Sequence, residues 1–221
     1  MSNGTFPQRL TEIDDLTRPD HSYLRPEDRC LYFGEYTARA GYNAGPTNQL
    51  ILNFKKGTDR RGRPEWRYKE SSITEAAAAF SKAINPAFLA QATLVPVPPS
   101  KAKNDPRYDD RIVRMLQQIQ NNTRLDIREV LIQDATREAA AHDGARLNPD
   151  ELAALYRIDE TVAVPAPAVI ALFDDLMVTG ASYVAAKRVL AARFGNIPVY
   201  GFFLARRTLP DPAQFFDIVE F

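Results

Sequence analysis

The residues of this chain best suited to chemistry lie in the run 168–183, AVIALFDDLMVTGASY. Six apolar residues lead straight into Asp174 and Asp175. After Leu176 and Met177 comes a short loop, Val178-Thr179-Gly180-Ala181-Ser182, and then a helix begins. A loop that opens a helix binds anions, because its free N–H groups point outward and the helix dipole is positive there. Gly180 lets the backbone approach a phosphate closely, and Thr179 and Ser182 add hydroxyl donors. The two carboxylates upstream can accept hydrogen bonds from a sugar diol or help hold a divalent cation. Phosphate and diol recognised a few residues apart describe a ribose 5-phosphate. Two acids at a strand end are by themselves a common cap or turn feature; the strand, the acid pair and the small-residue loop together point to a ligand.

A second candidate lies upstream, in the run 94–111, LVPVPPSKAKNDPRYDDR. An apolar strand ends at Pro98-Pro99, which stiffen the turn before Ser100 and Lys101. Lys101 can meet a pyrophosphate as a point charge. A solvated basic loop is the plainer alternative. Asn104-Asp105-Pro106, between Lys103 and Arg107, suggests a mobile lid.

Two such loops need strands to carry them. Residues 31–36 and 49–54 (QLILNF) read as strands, separated by an Asn/Gly/Pro turn at 42–47. Residues 55–69 (KKGTDRRGRPEWRYK) read as a basic loop or hairpin tip. From Ser71 the pattern changes. Ser72 and Glu75 form a capping box for a helix through Ile84, and 93–97 is a short apolar strand. Ile112, Met115, Leu116 and Ile119 share one face of a helix over 109–119. Residues 127–132 read as a strand, and Asn148-Pro149 starts a helix through Tyr156. Residues 169–173 form the central strand. The helix after Ser182 buries Tyr183, Ala186, Leu190 and Phe194 and stops at Gly195, and 198–204 is a last strand. Alternating strands and helices predict an α/β fold, a mostly parallel twisted sheet flanked by helices. Ligands of such sheets sit at the carboxyl ends of strands, where the acid pair falls. The division expected is a small β-rich N-terminal extension, 1–70, and a core, 71–221.

At 221 residues the chain can bury a substantial core. Lys+Arg and Asp+Glu both number 28, so net charge argues neither for nor against a nucleic-acid partner. Cys30 is the only cysteine, which excludes an internal disulfide and a cysteine-rich metal site. The opening MSNGTFPQRL lacks the apolar core of a signal peptide, and no apolar run approaches the roughly 20 residues of a membrane span. The expectation is a cytoplasmic protein with no membrane contact. The basic segment at 55–69 carries seven basic residues against Asp59 and Glu65, with Trp66 and Tyr68 among them. It suits either nucleic-acid contact or a solvated tip. His142 and Arg146 fall on a polar stretch and receive no role. Phe215, Phe216 and Phe221 make an apolar tail that could dock on the core or on a second copy in a homodimer.

The run 168–182 resembles the PRPP-binding motif of type I phosphoribosyltransferases: an apolar strand, Asp-Asp, two apolar residues and a Thr-Thr-Gly-x-Thr-like loop. Val178 stands where the first Thr is common and Ser182 where the last is. LVPVP followed by a basic segment is similar to the pyrophosphate loop of the ComF-like branch, a likeness covering roughly residues 90–207 and ending in Leu204-Ala205-Arg206-Arg207. The chain departs from that branch at Arg107-Tyr108-Asp109-Asp110, where an Arg-Gly-Phe-Asn-like element is usual, and lacks its N-terminal metal-binding cysteines. The resemblance implies the type I phosphoribosyltransferase fold and an enzyme that uses PRPP, Mg²⁺ and a small-molecule nitrogen acceptor. Asp174 and Asp175 would bind the ribose hydroxyls, with a direct Mg²⁺ contact allowed, although Mg²⁺ would be held mainly through PRPP. Val178, Thr179, Gly180, Ala181 and Ser182 would cradle the 5-phosphate. Ser100 and Lys101 would meet the pyrophosphate, Lys101 as a catalytic charge beside Asp174 and Asp175. Lys103 and Arg107 would lie on the flexible loop. The N-terminal extension would be the hood that selects the acceptor, through Glu35, Tyr36, Asn43 and Asn48. Two other readings share the motif: a non-catalytic PRPP or nucleotide sensor, and a toxin or defence effector with a helicase-like antitoxin partner.

Overall fold

The computed structural model describes residues 4–136 and 147–208. Residues 142, 146, 215, 216 and 221, singled out above, lie outside them. Along the chain run β1 (Thr11–Glu12), β2 (Arg29–Thr37), α1 (Pro46–Phe54), α2 (Trp66–Ala83), α3 (Pro86–Gln91), β3 (Thr93–Pro96) and α4 (Arg111–Gln118). There follow β4 (Asp126–Ile127), β5 (Leu131–Gln133), α5 (Pro149–Leu155), β6 (Tyr156–Ile158), β7 (Ile170–Met177), α6 (Ala181–Phe194) and β8 (Val199–Thr208). Six strands form one sheet in the order β1-β2-β8-β7-β3-β4. Its pairs are parallel except β1 with β2. Strands β5 and β6 pair antiparallel in a separate ribbon. The fold is α/β, with a mostly parallel mixed sheet flanked by helices.

Side chains alternate across the sheet as the strand period requires. Ala171 and Phe173 of β7, with Leu94 of β3, pack against α1, α2 and α4 through Ile51, Phe54, Ile73, Phe80 and Met115. Ile170 and Leu172, with Val95, face the other way, onto Tyr183, Ala186 and Leu190 of α6, Leu152 of α5 and Leu131 of β5. Phe173 and Phe202 stack at 5.1 Å between ring centroids, and Phe80 meets Phe173 edge-on at 5.1 Å. This double-sided cover is why β7 is a near-continuous apolar run. Among the described residues no helix is long and apolar enough to cross a membrane.

The N-terminal third differs from the expectation. Residues 49–54 are the end of helix α1, not a strand. Pro46 occupies the first helical turn, and Thr47, Leu50, Ile51 and Phe54 are buried at helical spacing. The stretch 55–69 is no hairpin tip: it makes a 3-10 turn at Thr58–Arg60 and then the first turn of α2. Ser72 therefore lies inside α2 and caps nothing; its hydroxyl donates to the Lys69 carbonyl. The division at residue 70 falls within α2 (Trp66–Ala83). Far from lying apart as a β-rich extension, this third gives β2 to the main sheet, paired with β8 from Arg29↔Tyr200 to Thr37↔Thr208. The expected strand over 127–132 divides between β4 in the main sheet and β5 in the ribbon. The start of α5 is a full capping box: the Asn148 side chain accepts from the Asp150 and Glu151 N–H groups and Glu151 reaches back to the Asn148 N–H.

Candidate functional site

Strands β3 and β7 are adjacent and parallel, with Phe173 opposite Pro96, so both chains leave the sheet on one edge. The two loops singled out in the sequence, 97–108 after β3 and 178–182 after β7, therefore emerge side by side. Parallel pairing is what puts them there; an antiparallel pair would have sent them to opposite edges.

The acid pair stays inside β7, and the strand alternation sends its two carboxylates to different surroundings. Asp175 meets the ends of α1 and α4. Its Oδ1 accepts from Lys55 Nζ at 2.8 Å, and its Oδ2 accepts from Arg111 Nε at 2.9 Å and Nη2 at 2.5 Å. The side chain is 4% exposed. Burial pushes the Asp175 carboxyl up, but Lys55 and Arg111 more than reverse that and hold it below the usual carboxylate range. The cluster continues inward. Arg111 Nη1 donates to Asp109 Oδ2 at 2.8 Å, and the fully buried Lys69 donates to the same oxygen at 2.7 Å and to the carbonyls of Phe54 and Lys56. Burial depresses Lys69, and Asp109 opposes the shift. The Arg-Tyr-Asp-Asp departure thus supplies one anion of a five-member chain, Lys69–Asp109–Arg111–Asp175–Lys55.

Asp174 lines a cavity of about 40 Å³, room for ordered water. Lys101, Lys103, Tyr108, Glu129 and Gln133 share that wall. Burial, then the charge on Asp175, raise Asp174 to about 7. Its Oδ1 accepts the Asp175 N–H at 2.7 Å. The structure therefore brings together Asp174, Lys101 and Lys103, and sets Asp175 apart in the ion-pair chain. The Ser100 carbonyl accepts from Gln133 Nε2 at 3.0 Å. The segment 101–108 is anchored at three of its residues. Lys103 pairs with Glu129 at 3.1 Å, the Tyr108 hydroxyl donates to Glu129 at 3.0 Å, and Thr136 Oγ1 donates to Asp105 at 2.7 Å. Arg107 turns back onto Asp105.

Loop 178–182 is braced from behind by a segment the sequence did not flag. His21 Nδ1–H donates to the Val178 carbonyl at 2.6 Å and the Tyr23 N–H to the Thr179 carbonyl at 3.0 Å. Gly180, at φ +84°, packs under Leu24; a Cβ there would lie 2.8 Å from the Leu24 side chain. His21 is fully buried, and burial lowers its pKa and favours the neutral ring; the Val178 carbonyl, which can only accept, requires a proton on Nδ1. The Ala181 N–H donates to Thr179 Oγ1 at 3.4 Å, and the N–H groups that open α6 are the anion donors that a helix start offers.

Of the four residues expected to select an acceptor, Asn48 is excluded. It is 1% exposed, and its side chain is spent on the backbone of Thr37 and the Gly41 carbonyl. Glu35 is paired with Arg206, Tyr36 is half-buried, and Asn43 is exposed.

A direct Mg²⁺ contact from both acids does not fit this geometry. Both oxygens of Asp175 already accept from cations, Oδ1 from Lys55 and Oδ2 from Arg111. Compared with models of known protein families and with curated proteins, the chain matches none.

Proposed function

We propose that this chain is a type I phosphoribosyltransferase that displaces pyrophosphate from PRPP with a nitrogen nucleophile. The observation that carries the reading is the shared edge: Asp174 lines one cavity with Lys101, and the helix-opening loop 178–182 leaves β7 at the same end of the parallel pair as the Lys101 loop leaves β3. The N–H groups of Val178 to Ser182 hold the 5-phosphate, and Asp174 accepts a ribose hydroxyl. Lys101 and Lys103 neutralise the pyrophosphate. As the C1–O bond breaks, its electron pair leaves with pyrophosphate and positive charge grows on the sugar; the new C1–N bond forms on the opposite face. Positioned charge is the catalysis here, with Lys101 facing the departing anion and Asp174, ionised above about 7, facing the developing cation. Mg²⁺ enters as part of the substrate, bound to its diphosphate. For a phosphoribosyl group to reach Asp174, residues 101–108 must leave Glu129. Asp175 positions the edge through Arg111 and Lys55 and touches no substrate.

One observation favours a second reading, a PRPP or nucleotide sensor: Asp175 is already neutralised by Lys55 and Arg111. Pyrophosphate release distinguishes the two. With PRPP, Mg²⁺ and a panel of bases and nucleotides, release above the acceptor-free rate supports transfer. Saturable PRPP binding with no release across the panel supports the sensor. Absence of PRPP binding overturns both.

A further inference from the structure

The basic segment at 55–69, which the phosphoribosyl reading leaves unused, folds into an ordered surface rather than a free tip. Lys56 Nζ lies 5.5 Å from the ring centroids of both Tyr42 and Tyr68. The Arg67 guanidinium lies 4.9 Å from the Tyr68 ring and Arg61 5.6 Å from the Trp66 ring. Lys56 Nζ also donates to the Tyr42 hydroxyl at 3.1 Å, and Tyr42 and Tyr68 are each 46% exposed, so both rings keep surface open to solvent. The nearby carboxylates do not neutralise the patch. Asp59 and Glu65 are engaged by Arg60, and Glu70 by Arg114. Lys56, Arg61, Arg63 and Arg67 have no carboxylate partner among the described residues. Arg60 balances only one of Asp59 and Glu65, so the four cations less one carboxylate leave a net excess of about three positive charges interleaved with exposed aromatic rings, in a chain whose charges balance overall.

We propose that Tyr42, Lys56, Arg61, Arg63, Arg67 and Tyr68 form a docking surface for single-stranded nucleic acid. Cations spaced between open rings match an alternating polymer of phosphates and unpaired bases, since bases stack on the rings while phosphates meet the cations. A duplex hides its base faces and gains only the charge term. The surface adjoins the candidate site: Lys55, next to Lys56, pairs with Asp175, and Arg111 lies 5.9 Å from the ring centroid of Phe54. The proposal does not rest on the phosphoribosyl reading, because strand binding needs neither PRPP nor turnover.

Fluorescence anisotropy with labelled single-stranded DNA and RNA of about 20 nucleotides tests it, with duplex DNA and heparin as competitors. The expected result is binding by either strand that weakens with salt. The slope of log affinity on log salt should be about −3, near −0.7 for each of four phosphate contacts. Replacing both rings (Tyr42→Leu with Tyr68→Leu) should weaken strand binding at least about fivefold and leave the salt slope unchanged. Arg61→Gln, Arg63→Gln and Arg67→Gln together should flatten the slope. These side chains are exposed, so an unchanged melting temperature verifies that each variant is folded. No strand binding at about 50 mM salt, binding that the ring variant leaves intact, or duplex and heparin binding as tight as the strand would each overturn the proposal.

Discussion

At the scale of single residues, two adjacent carboxylates of one strand do different work. Asp175 balances Arg111 and Lys55; removing it leaves two cations facing a buried gap. Asp175→Ala is expected to destabilise the fold by about 3 kcal/mol, read by urea unfolding. Asp174 behaves oppositely. Its native carboxyl holds a proton up to about 7, whereas an unfolded Asp loses it near pH ~4. Between those values the unfolded state binds fewer protons, so wild-type stability falls as pH rises, and the loss is complete above the native value. Asp174→Asn abolishes that slope. Relative to wild type, the variant should gain on the order of 2 kcal/mol between pH 5 and pH 8. A wild-type slope that persists in the Asn variant would assign it to another group.

At the scale of elements, the phosphate loop depends on a brace from the distant N-terminal segment. Gly180→Ala faces both a positive φ and a 2.8 Å contact with Leu24. We expect it to cost about 1–3 kcal/mol. In a Leu24→Ala background the cost should shrink but not vanish, because the backbone strain remains; a double-mutant cycle by chemical unfolding measures the difference. The sequence made legible the parts whose signals are local. The one-faced apolar spacing of α4, the Asn148-Pro149 start of α5, the run entering β7 and the Gly195 stop of α6 all stand where periodicity and capping put them. QLILNF reads as a strand because it is rich in aliphatic residues, which hide the helical spacing of α1 that Pro46 announces. The two loops were legible, but what holds them was not. Lys55, Arg111 and His21 reach their partners from 120, 64 and 157 residues away. No short motif encodes contacts that only the folded sheet creates.

At the scale of the whole molecule, the first seventy residues share the sheet and the core with the rest. Phe6, Phe33, Leu50, Ile51 and Phe54 belong to the same apolar cluster as Phe173 and Phe202, and β2 covers the flank of β8. A fragment comprising residues 71–221 would expose that flank and cut α2. It is expected to lack a cooperative thermal transition by circular dichroism. Cooperative melting of the fragment would instead favour two separable units. The same unity puts Lys55 against Asp175 and brings His21 and Leu24 behind loop 178–182, so the candidate site is built from both ends of the chain.

The central claim is that this shared edge holds PRPP, and calorimetric titration with PRPP and Mg²⁺ tests it most directly. Saturable binding to wild type, weakened at least about tenfold by Asp174→Asn while that variant keeps its cooperative unfolding, is the predicted result. No binding to the folded wild-type protein, or equal binding by wild type and Asp174→Asn, would contradict it.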